Sequence, residues 1–227
     1  CFIVTTQTPT HVIVLFGGES AEHDVSCVTA AHVLRALDSQ KYRISAIGIT
    51  RDGKWNLATQ AMADLQRGPE HVGPTLSTDG EPTSISVVVG EARDNSQTVV
   101  FPLLHGPLGE DGTVQGLLEL ANIAFVGTGV LGSSVSMDKG VAKQVLHANG
   151  IPQPQYISLR EAHVNDASLQ HAIDTLGLPL FVKPANMGSS VGVSKAKNAA
   201  ELKAAAAQAL KYDEWIVIEE AISGREI

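Results

Sequence analysis

The chain has 227 residues, enough for one large domain or two medium-sized ones. Hydrophobic residues make up 44% and charged residues 18%, a composition typical of globular proteins. The 24 acidic and 16 basic residues give a formal net charge of -8, which argues against general nucleic-acid binding. Local lysines could still bind a small anionic ligand.

The cysteine pattern and the lack of long apolar stretches indicate a cytoplasmic protein without a membrane partner. Cys1 and Cys27 show no CxxC spacing and no disulfide framework, which fits a reducing compartment. No apolar stretch reaches the roughly 18 residues of a membrane span, and the start "CFIVTTQTPT" is a poor signal peptide. Because "SGREI" ends within a predicted element, we expect the sequence to be incomplete at its C-terminus.

The first half of the chain predicts an α/β domain with a parallel sheet. The run "HVIVLFGG" (11–18) is apolar throughout and closed by glycines, as in a strand buried on both faces. The following helix carries Val25, Val28, Ala31 and Leu34 at helical spacing. A strand, "RISAIGIT", and an Asp-Gly turn come next.

The rest of this half is predicted to hold more strands around one short helix. Residues 60–84 are rich in Gly, Pro and Thr, and we expect them to be irregular. The predicted strands are "ISVVVGEA", "TVVFPLLHG" and "IAFVG", with the helix "TVQGLLELA" before the last of them.

The second half predicts an α+β unit with antiparallel strands. It opens with one helix, "SSVSMDKGVAKQVLHANG", and the two prolines of "IPQPQ" suit a linker between domains. Helices are then expected at about 161–176 and 198–211, and strands at "LPLFVKP", "VGVSKA" and "EWIVIEEA". We place the domains at 11–140 and 141–227.

The segment "GGESAEHDVS" is the first candidate site. Glycines at a strand's end let a ligand approach the backbone, and the next helix offers unpaired N–H groups. Glu22 lies in the first helical turn, where it could hold an amine-bearing ligand or only help to start the helix.

The segment "LLHGPLGEDG" is the second candidate site. Ligands of open α/β sheets bind at the carboxyl ends of strands, where His105 is expected to lie. His105 could equally be a hydrogen-bonded structural residue, and we expect Glu110 and Asp111 to be solvated turn residues.

The pattern "GTGVLG" (127–132) matches the glycine fingerprint of dinucleotide-binding proteins. That fingerprint also requires an acidic residue about 20 positions further on. The sequence has "ANGIPQPQ" at that place, so we do not predict nicotinamide binding.

The segment "FVKPANMGSSVG" is suited to a polyphosphate. Lys183 ends a strand, and the small residues after it could fold their N–H groups over phosphates. Lys139 stands near a helix start, where a cation is unfavourable without an anion. A surface lysine pair beside a plain hairpin remains the alternative.

The last apolar strand ends in carboxylates. Glu219 and Glu220 close it and Glu226 follows a turn, an arrangement that could serve a ribose or a metal, or be a solvated strand end.

Five segments in this order resemble the D-alanine:D-alanine ligase family of the ATP-grasp superfamily, from about residue 12 to the end: "GGESAEHDVS", "LLHGPLGEDGTVQG", "MDK", "LFVKPANMGSSVGVSK" and "VIEEAISGREI". The resemblance implies an N-terminal parallel-sheet (pre-ATP-grasp) α/β domain followed by the first, α+β subdomain of an ATP-grasp fold. It also implies a cytoplasmic, homodimeric enzyme that joins two D-alanines for peptidoglycan, and thus for cell-wall synthesis and cell shape.

The resemblance also implies roles for single residues. Glu22, His105 and Ser189 would bind the first D-alanine, with Glu22 and Ser189 counted as catalytic. The residues expected to bind ATP are Lys139, Lys183, Ser190, Glu219, Glu220, Ala221, Ile222 and Glu226. The last of these would bind the ribose.

Family members continue for roughly another hundred residues, which carry the ligands of Mg²⁺ or Mn²⁺. No metal ligands are therefore predicted in this sequence, and we expect it to be inactive alone. Two alternatives remain open: a nucleotide-binding or dimerisation module without catalysis, and a D-alanine:D-lactate ligase.

Overall fold

The computed structural model describes residues 9–94 and 97–225. It divides into two compact units, Cys1–Ser133 and Ser134–Ile227. The domain boundary predicted at 140/141 stays a prediction. Cys1 and Glu226 lie outside the described residues.

The first unit is built on a six-stranded sheet with the order β4-β3-β2-β1-β5-β6. Strands β2, β1, β5 and β6 run parallel, whereas the short β3 and β4 are antiparallel additions. The strands are β1 Thr10–Gly17, β2 Tyr42–Ile49, β3 Trp55–Leu57, β4 Glu81–Pro82, β5 Thr98–Pro102 and β6 Ala124–Phe125. The parallel sheet predicted from the continuous apolar runs is confirmed.

Helices cover both faces of this sheet. They are α1 His23–Ala36, α2 Thr59–Arg67, α3 Ile85–Asp94 and α4 Thr113–Leu120. One core lies between α1, α2 and one face of the sheet, and a second lies between α3, α4 and the other face. Because β1 is central, its side chains are buried alternately in the two cores.

Three expectations for this unit were wrong in part. Residues 60–84 include α2, whose Ala61 and Leu65 pack into the core before Pro69 follows the helix. The apolar run 85–92 belongs to helix α3 rather than to a strand. On α1, Val25 and Val28 are exposed, because the buried stripe runs through Cys27, Ala30, Ala31 and Leu34.

The second unit is the predicted antiparallel α+β arrangement. Its four-stranded sheet has the order β7-β10-β8-β9, with antiparallel neighbours throughout. The strands are β7 Tyr156–Arg160, β8 Leu180–Pro184, β9 Ser194–Ala196 and β10 Trp215–Glu220. The helices are α5 Val130–Met137, which crosses the boundary between the units, α6 Lys139–Ala148, α7 Asp166–Leu176 and α8 Ala199–Ala209.

The single helix expected over 133–150 is two helices, because Asp138 interrupts it. The Asp138 backbone is extended, and its carboxylate accepts a hydrogen bond from Val141 N–H, the pattern of an N-cap. The segment "IPQPQ" does not link two domains as expected, because it connects α6 to β7 inside the second unit. Asp138 therefore fixes where α6 starts and places Lys139 in its first turn.

The two faces of the second sheet differ in polarity. Alternate residues of β8 and β10 pack with α7 and α8 in an apolar core that includes Leu180, Val182, Ile216 and Ile218. Side chains alternate between faces along a strand. The intervening positions, Phe181, Lys183, Val217 and Glu219, therefore lie on the opposite face. Within the described ranges, no helix has the length and apolar character needed to cross a bilayer.

Candidate functional site

The first unit holds a candidate site where β1 and β5 end side by side. The buried Ser26 joins the two strand ends, since its hydroxyl accepts from Gly17 N–H at 2.7 Å and donates to the Leu103 carbonyl at 2.5 Å. Ser20 makes a second link, with its hydroxyl donating to the His105 carbonyl at 2.6 Å. These serines were missed in the sequence, although they flank Glu22 within "GGESAEHDVS".

Glu22 lies at the start of α1, and the helix packs it inward. Its side chain makes no capping hydrogen bond and is 8% exposed. Gly106 has φ +73°, and a Cβ there would come within 2.8 Å of Glu22 Oε2. The Glu22 carboxylate therefore faces the loop after β5, which brings the two predicted segments together. Its binding role stays a prediction.

The loop after β5 is held by its own carboxylates. Glu110 accepts from Gly106 N–H at 2.7 Å, and Asp111 accepts from Leu108 N–H at 2.8 Å and Thr113 N–H at 2.9 Å. Burial raises the pKa of Asp111, but these backbone hydrogen bonds outweigh burial and lower it. The expectation that both residues are merely solvated was incomplete, because they shape this loop.

His105 contacts both the loop and α1. Its Nδ1 lies 3.6 Å from Glu110 Oε1, and its Nε2 lies 3.2 Å from the Thr29 hydroxyl. The side chain is 27% exposed and borders a cavity of about 340 Å³. Apolar side chains form most of this cavity, among them Ile49, Trp55 and Leu104. Mostly apolar walls with a few polar groups are typical of a small-ligand site.

The second unit holds a different candidate site, centred on Glu219. The cross-strand register places Tyr156, Glu219, Phe181 and Lys195 in one row. Lys183 is one row away on the same face, and its Nζ lies 2.5 Å from Glu219 Oε2. Lys183 therefore forms an ion pair at the sheet surface.

A third charged residue, Lys143 of α6, completes this cluster. Its Nζ lies 3.0 Å from Glu219 Oε1 and 5.0 Å from the centre of the Tyr156 ring. Burial raises the pKa of Glu219, but hydrogen bonds from Lys183 and Lys143 lower it below the usual range. Lys143 was missed in the sequence. The available signal was its spacing, one helical turn after Lys139 on the same face.

Lys139 holds the base of the glycine-containing loop. Its ammonium donates to the carbonyls of Ala185, at 3.3 Å, and Met187. Burial and the neighbouring Lys183 charge lower the pKa of Lys139. Lys139 and Lys183 are thus near each other, as a shared anion would require.

The loop that follows β8 turns through two serines. Ser189 and Ser190 have φ of 45° and 61°, in the left-handed region that few non-glycine residues adopt. Val191 N–H and Val193 N–H donate to the carbonyls of Gly188 and Ser190. Both serines are exposed. The loop therefore has a defined tight turn.

The residues after Glu219 have separate environments. Glu220 accepts from Gln155 N–H at 2.7 Å, which joins β10 to the segment before β7. The Ala221 N–H donates to the Pro179 carbonyl at 3.2 Å, and Ile222 is 64% exposed. The predicted ribose ligand, Glu226, lies outside the described residues.

Neither a metal nor a dinucleotide site is built from the described side chains. In residues 9–94 and 97–225, no group of three or more His, Cys, Asp or Glu could hold a metal ion. The negative charge of Glu219 is instead balanced by ion pairs with Lys143 and Lys183. The pattern "GTGVLG" follows β6 at the sheet edge and runs into α5, without the acidic partner of a dinucleotide site.

Comparisons with known proteins agree with this arrangement. Residues 11–128 match the family model "D-ala D-ala ligase N-terminus", and residues 145–227 match "D-ala D-ala ligase C-terminus". D-alanine–D-alanine ligase A of Chromobacterium violaceum is 45% identical over 224 residues, which cover 94% of this chain. The chain spans 60% of the length of that relative.

Solved structures show the same likeness. The D-alanine-D-alanine ligase from Coxiella burnetii is 36% identical with a TM-score of 0.80, covering 95% of this chain and 64% of that one. The VanG D-Ala:D-Ser ligase from Enterococcus faecalis is 33% identical with a TM-score of 0.77, covering 96% and 64%. On the strength of the two family models, which together match most of the sequence, this chain belongs to the D-alanine–D-alanine ligase family.

Proposed function

We propose that this chain is part of an ATP-dependent enzyme that joins two D-alanines into D-alanyl-D-alanine for peptidoglycan synthesis. A carboxylate oxygen of the first D-alanine attacks the γ-phosphorus of ATP, and ADP leaves. The amine nitrogen of the second D-alanine then attacks the acyl carbon, and phosphate leaves with the carboxylate oxygen. Positioning, phosphate neutralisation and exclusion of water are the main requirements of such a reaction.

The observation that carries this proposal is the lysine cluster in the second unit, within a chain of this family. Lys183 and Lys139 are assigned to the phosphates of ATP. Their closeness supports this, because the Lys183 charge lowers the pKa of Lys139 and an anion between them would relieve the repulsion. Ser190, Glu219, Glu220, Ala221, Ile222 and Glu226 are assigned to the rest of the nucleotide by resemblance.

The first D-alanine is assigned to Glu22 and His105. Glu22 offers a buried carboxylate to an ammonium group, and His105 borders the cavity in the same unit. The resemblance gives Ser189 the same substrate. Glu22 and Ser189 are proposed as catalytic because they would orient the group that reacts.

The metal, the cellular location and the oligomeric state are also proposed from the resemblance to the family. Mg²⁺ or Mn²⁺ is proposed as the metal, but no step is assigned to it because the described residues form no cluster of ligands. A cytoplasmic location and a homodimer are also proposed. Exposed apolar side chains on the first unit, Leu120, Val126 and Leu131, support self-association.

Calorimetry with ATP and with D-alanine, followed by a coupled assay for ADP release, tests the proposal. We expect binding of ATP and a preference for D-alanine over L-alanine. Binding of neither would overturn the proposal, and binding of ATP alone would favour the nucleotide-binding module. That the chain is inactive alone stays a prediction, which ADP release on addition of D-alanine would contradict.

A second acceptor is worth testing because a D-Ala:D-Ser ligase is among the similar structures. D-Serine and D-lactate should therefore be compared with D-alanine as the second substrate, wherever turnover is observed. Faster ADP release with either of them, at equal concentration, would replace the D-alanine:D-alanine assignment.

A further inference from the structure

The two lysines of the Glu219 cluster differ in their surroundings, although each contacts the same carboxylate. Lys143 lies 3.0 Å from Glu219 Oε1 with 11% of its side chain exposed. Lys183 lies 2.5 Å from Glu219 Oε2 with 27% exposed. The Glu219 side chain is only 8% exposed. One lysine is thus enclosed with the carboxylate, and the other is closer to solvent.

The environment of Lys143 limits what its ammonium can do. It is held between the Glu219 carboxylate and the face of the Tyr156 ring, 5.0 Å from the ring centre, and both neighbours attract a cation. With 11% of the side chain exposed, it offers little surface to a ligand. Lys143 is therefore placed to stay with Glu219 rather than to contact a nucleotide.

Lys183, in contrast to Lys143, is proposed to contact a ligand as well as Glu219. To contact a phosphate, its ammonium must share its donors between Glu219 and the ligand or leave the carboxylate. A buried carboxylate that loses its last counterion is strongly unfavourable, so a lone Glu219 would retain Lys183. With Lys143 on the other oxygen, Glu219 keeps a partner when Lys183 moves.

We propose that Lys143 is a positioning residue, the permanent counterion of Glu219 that leaves the Lys183 ammonium available to the phosphates of a nucleotide. This inference rests on the ATP site proposed above. It adds to that proposal by giving different roles to the two lysines that contact Glu219: Lys143 is the structural counterion, and Lys183 is the phosphate ligand.

The ratio of adenosine Kd to ATP Kd, measured by calorimetry on the whole chain, isolates the phosphate contribution. We expect Lys143→Met to lower this ratio by about tenfold, the scale of one charge-assisted hydrogen bond. Lys143→Arg should restore most of it because the charge returns. Lys203→Met, at an exposed ion pair on α8, is the matched control and should leave the ratio unchanged.

A purely structural role for Lys143 would weaken adenosine and ATP equally, and an unchanged ratio in folded Lys143→Met would overturn the inference. Glu219→Gln provides an independent test if Lys143→Met does not fold. It removes the charge that retains Lys183, so the ratio should rise, and a fall would also overturn the inference. If the unmodified chain binds ATP no better than adenosine, the proposed ATP site itself fails, and the inference fails with it.

Discussion

At the scale of single residues, neighbours decide what each charged side chain can do. Glu110 and Asp111 are residue types expected in an exposed turn. Their carboxylates nevertheless accept backbone hydrogen bonds that shape the loop beside His105. Glu22 occupies a helix start but does not cap it. Carboxylates of similar sequence context therefore differ in their hydrogen-bond partners, and only the three-dimensional contacts separate them.

Replacement of Lys183 by alanine tests the proposed phosphate ligand. The change removes an ammonium from the Glu219 cluster, and we expect ATP to bind at least about tenfold more weakly, as for loss of a charge-assisted hydrogen bond. D-Alanine binding should be unaffected. Calorimetry with each ligand measures both effects. Lys203→Ala is the control, and normal ATP affinity in Lys183→Ala would remove the assignment.

Replacement of Gly106 by alanine tests the geometry around Glu22. A Cβ would come within 2.8 Å of Glu22 Oε2, and φ +73° is unfavourable for alanine by roughly 1 kcal/mol. The displaced carboxylate should weaken D-alanine binding by about tenfold if it forms a charge-assisted hydrogen bond. Titration calorimetry and thermal unfolding measure the two consequences.

Gly90→Ala is the control for this change, because nothing lies within 4 Å of a Cβ there. In the middle of α3, alanine should be neutral or slightly stabilising. Unaltered D-alanine affinity in Gly106→Ala would show that Glu22 does not bind this substrate.

At the scale of helices and strands, the apolar pattern predicts the buried strands well but predicts a strand where the fold has helix α3. The run "ISVVVGEA" is β-branched and favours a strand in isolation. In the fold, Ser84 accepts from Val87 N–H at 3.4 Å at the start of α3, and Val88 packs into the core. Tertiary packing thus overrides local propensity, and a single sequence offers no signal for that.

An aspartate anchors the loop after β8, which gives a prediction at this scale. Asp213 Oδ2 accepts from Asn186 N–H at 2.6 Å and from its side-chain amide at 2.9 Å. Asp213→Ala should therefore free the base of the loop and speed hydrogen exchange of the Asn186 amide by about tenfold or more. Asp166→Ala, which removes only an exposed ion pair, should not. Equal exchange in both variants would show that Asp213 is not the anchor.

The pairing of β1 with β2 includes a buried histidine, which makes stability depend on pH. His11 is 1% exposed, and its Nδ1 lies 2.7 Å from Arg43 Nη2 and its Nε2 lies 2.8 Å from Ser45 Oγ. The Arg43 guanidinium can only donate, so Nδ1 accepts and Nε2–H donates to Ser45. Burial, and then the Arg43 charge, lower the pKa of His11.

Because the folded pKa lies below the unfolded value of 6.5, the unfolded chain binds the proton first as pH falls. The contribution of His11 to folding stability is therefore fully present above pH 6.5 and declines as the pH falls below that value. The loss is on the order of 1 kcal/mol, the value of one buried hydrogen bond. Urea unfolding at pH 7.5 and 5.5 measures it. His11→Gln should flatten the difference, and an undiminished pH dependence in that variant would assign it to other groups.

At the scale of the whole molecule, the order of the motifs predicts the family. The contacts between distant charged residues are seen only in the three-dimensional structure. Lys183 and Glu219 are recognisable in their motifs, but they are 36 positions apart and their ion pair depends on strand register. Lys143 belongs to no motif quoted from the sequence. Long-range pairing of this kind requires the three-dimensional arrangement, because one sequence does not show which charges meet.

The proposed self-association concerns the whole molecule. Leu120 is 92% exposed and Leu131 is 77% exposed, whereas most of the other exposed apolar side chains keep half their surface or more covered. A stable homodimer typically buries roughly 800 Å² on each partner, much of it apolar. We therefore expect Leu120→Lys to shift the proposed homodimer to monomer in size-exclusion chromatography with light scattering.

Lysine is the informative substitution because it changes the net charge from -8 to -7 and so weakens the long-range repulsion between two acidic copies. If Leu120→Lys dissociates the dimer, the loss of apolar burial must outweigh that reduced repulsion. Val87→Lys, at a half-exposed position of α3, adds the same charge and should leave the dimer intact. Dissociation by both variants would show that the effect is not specific to the Leu120 surface, and a dimer that survives Leu120→Lys would place the interface elsewhere.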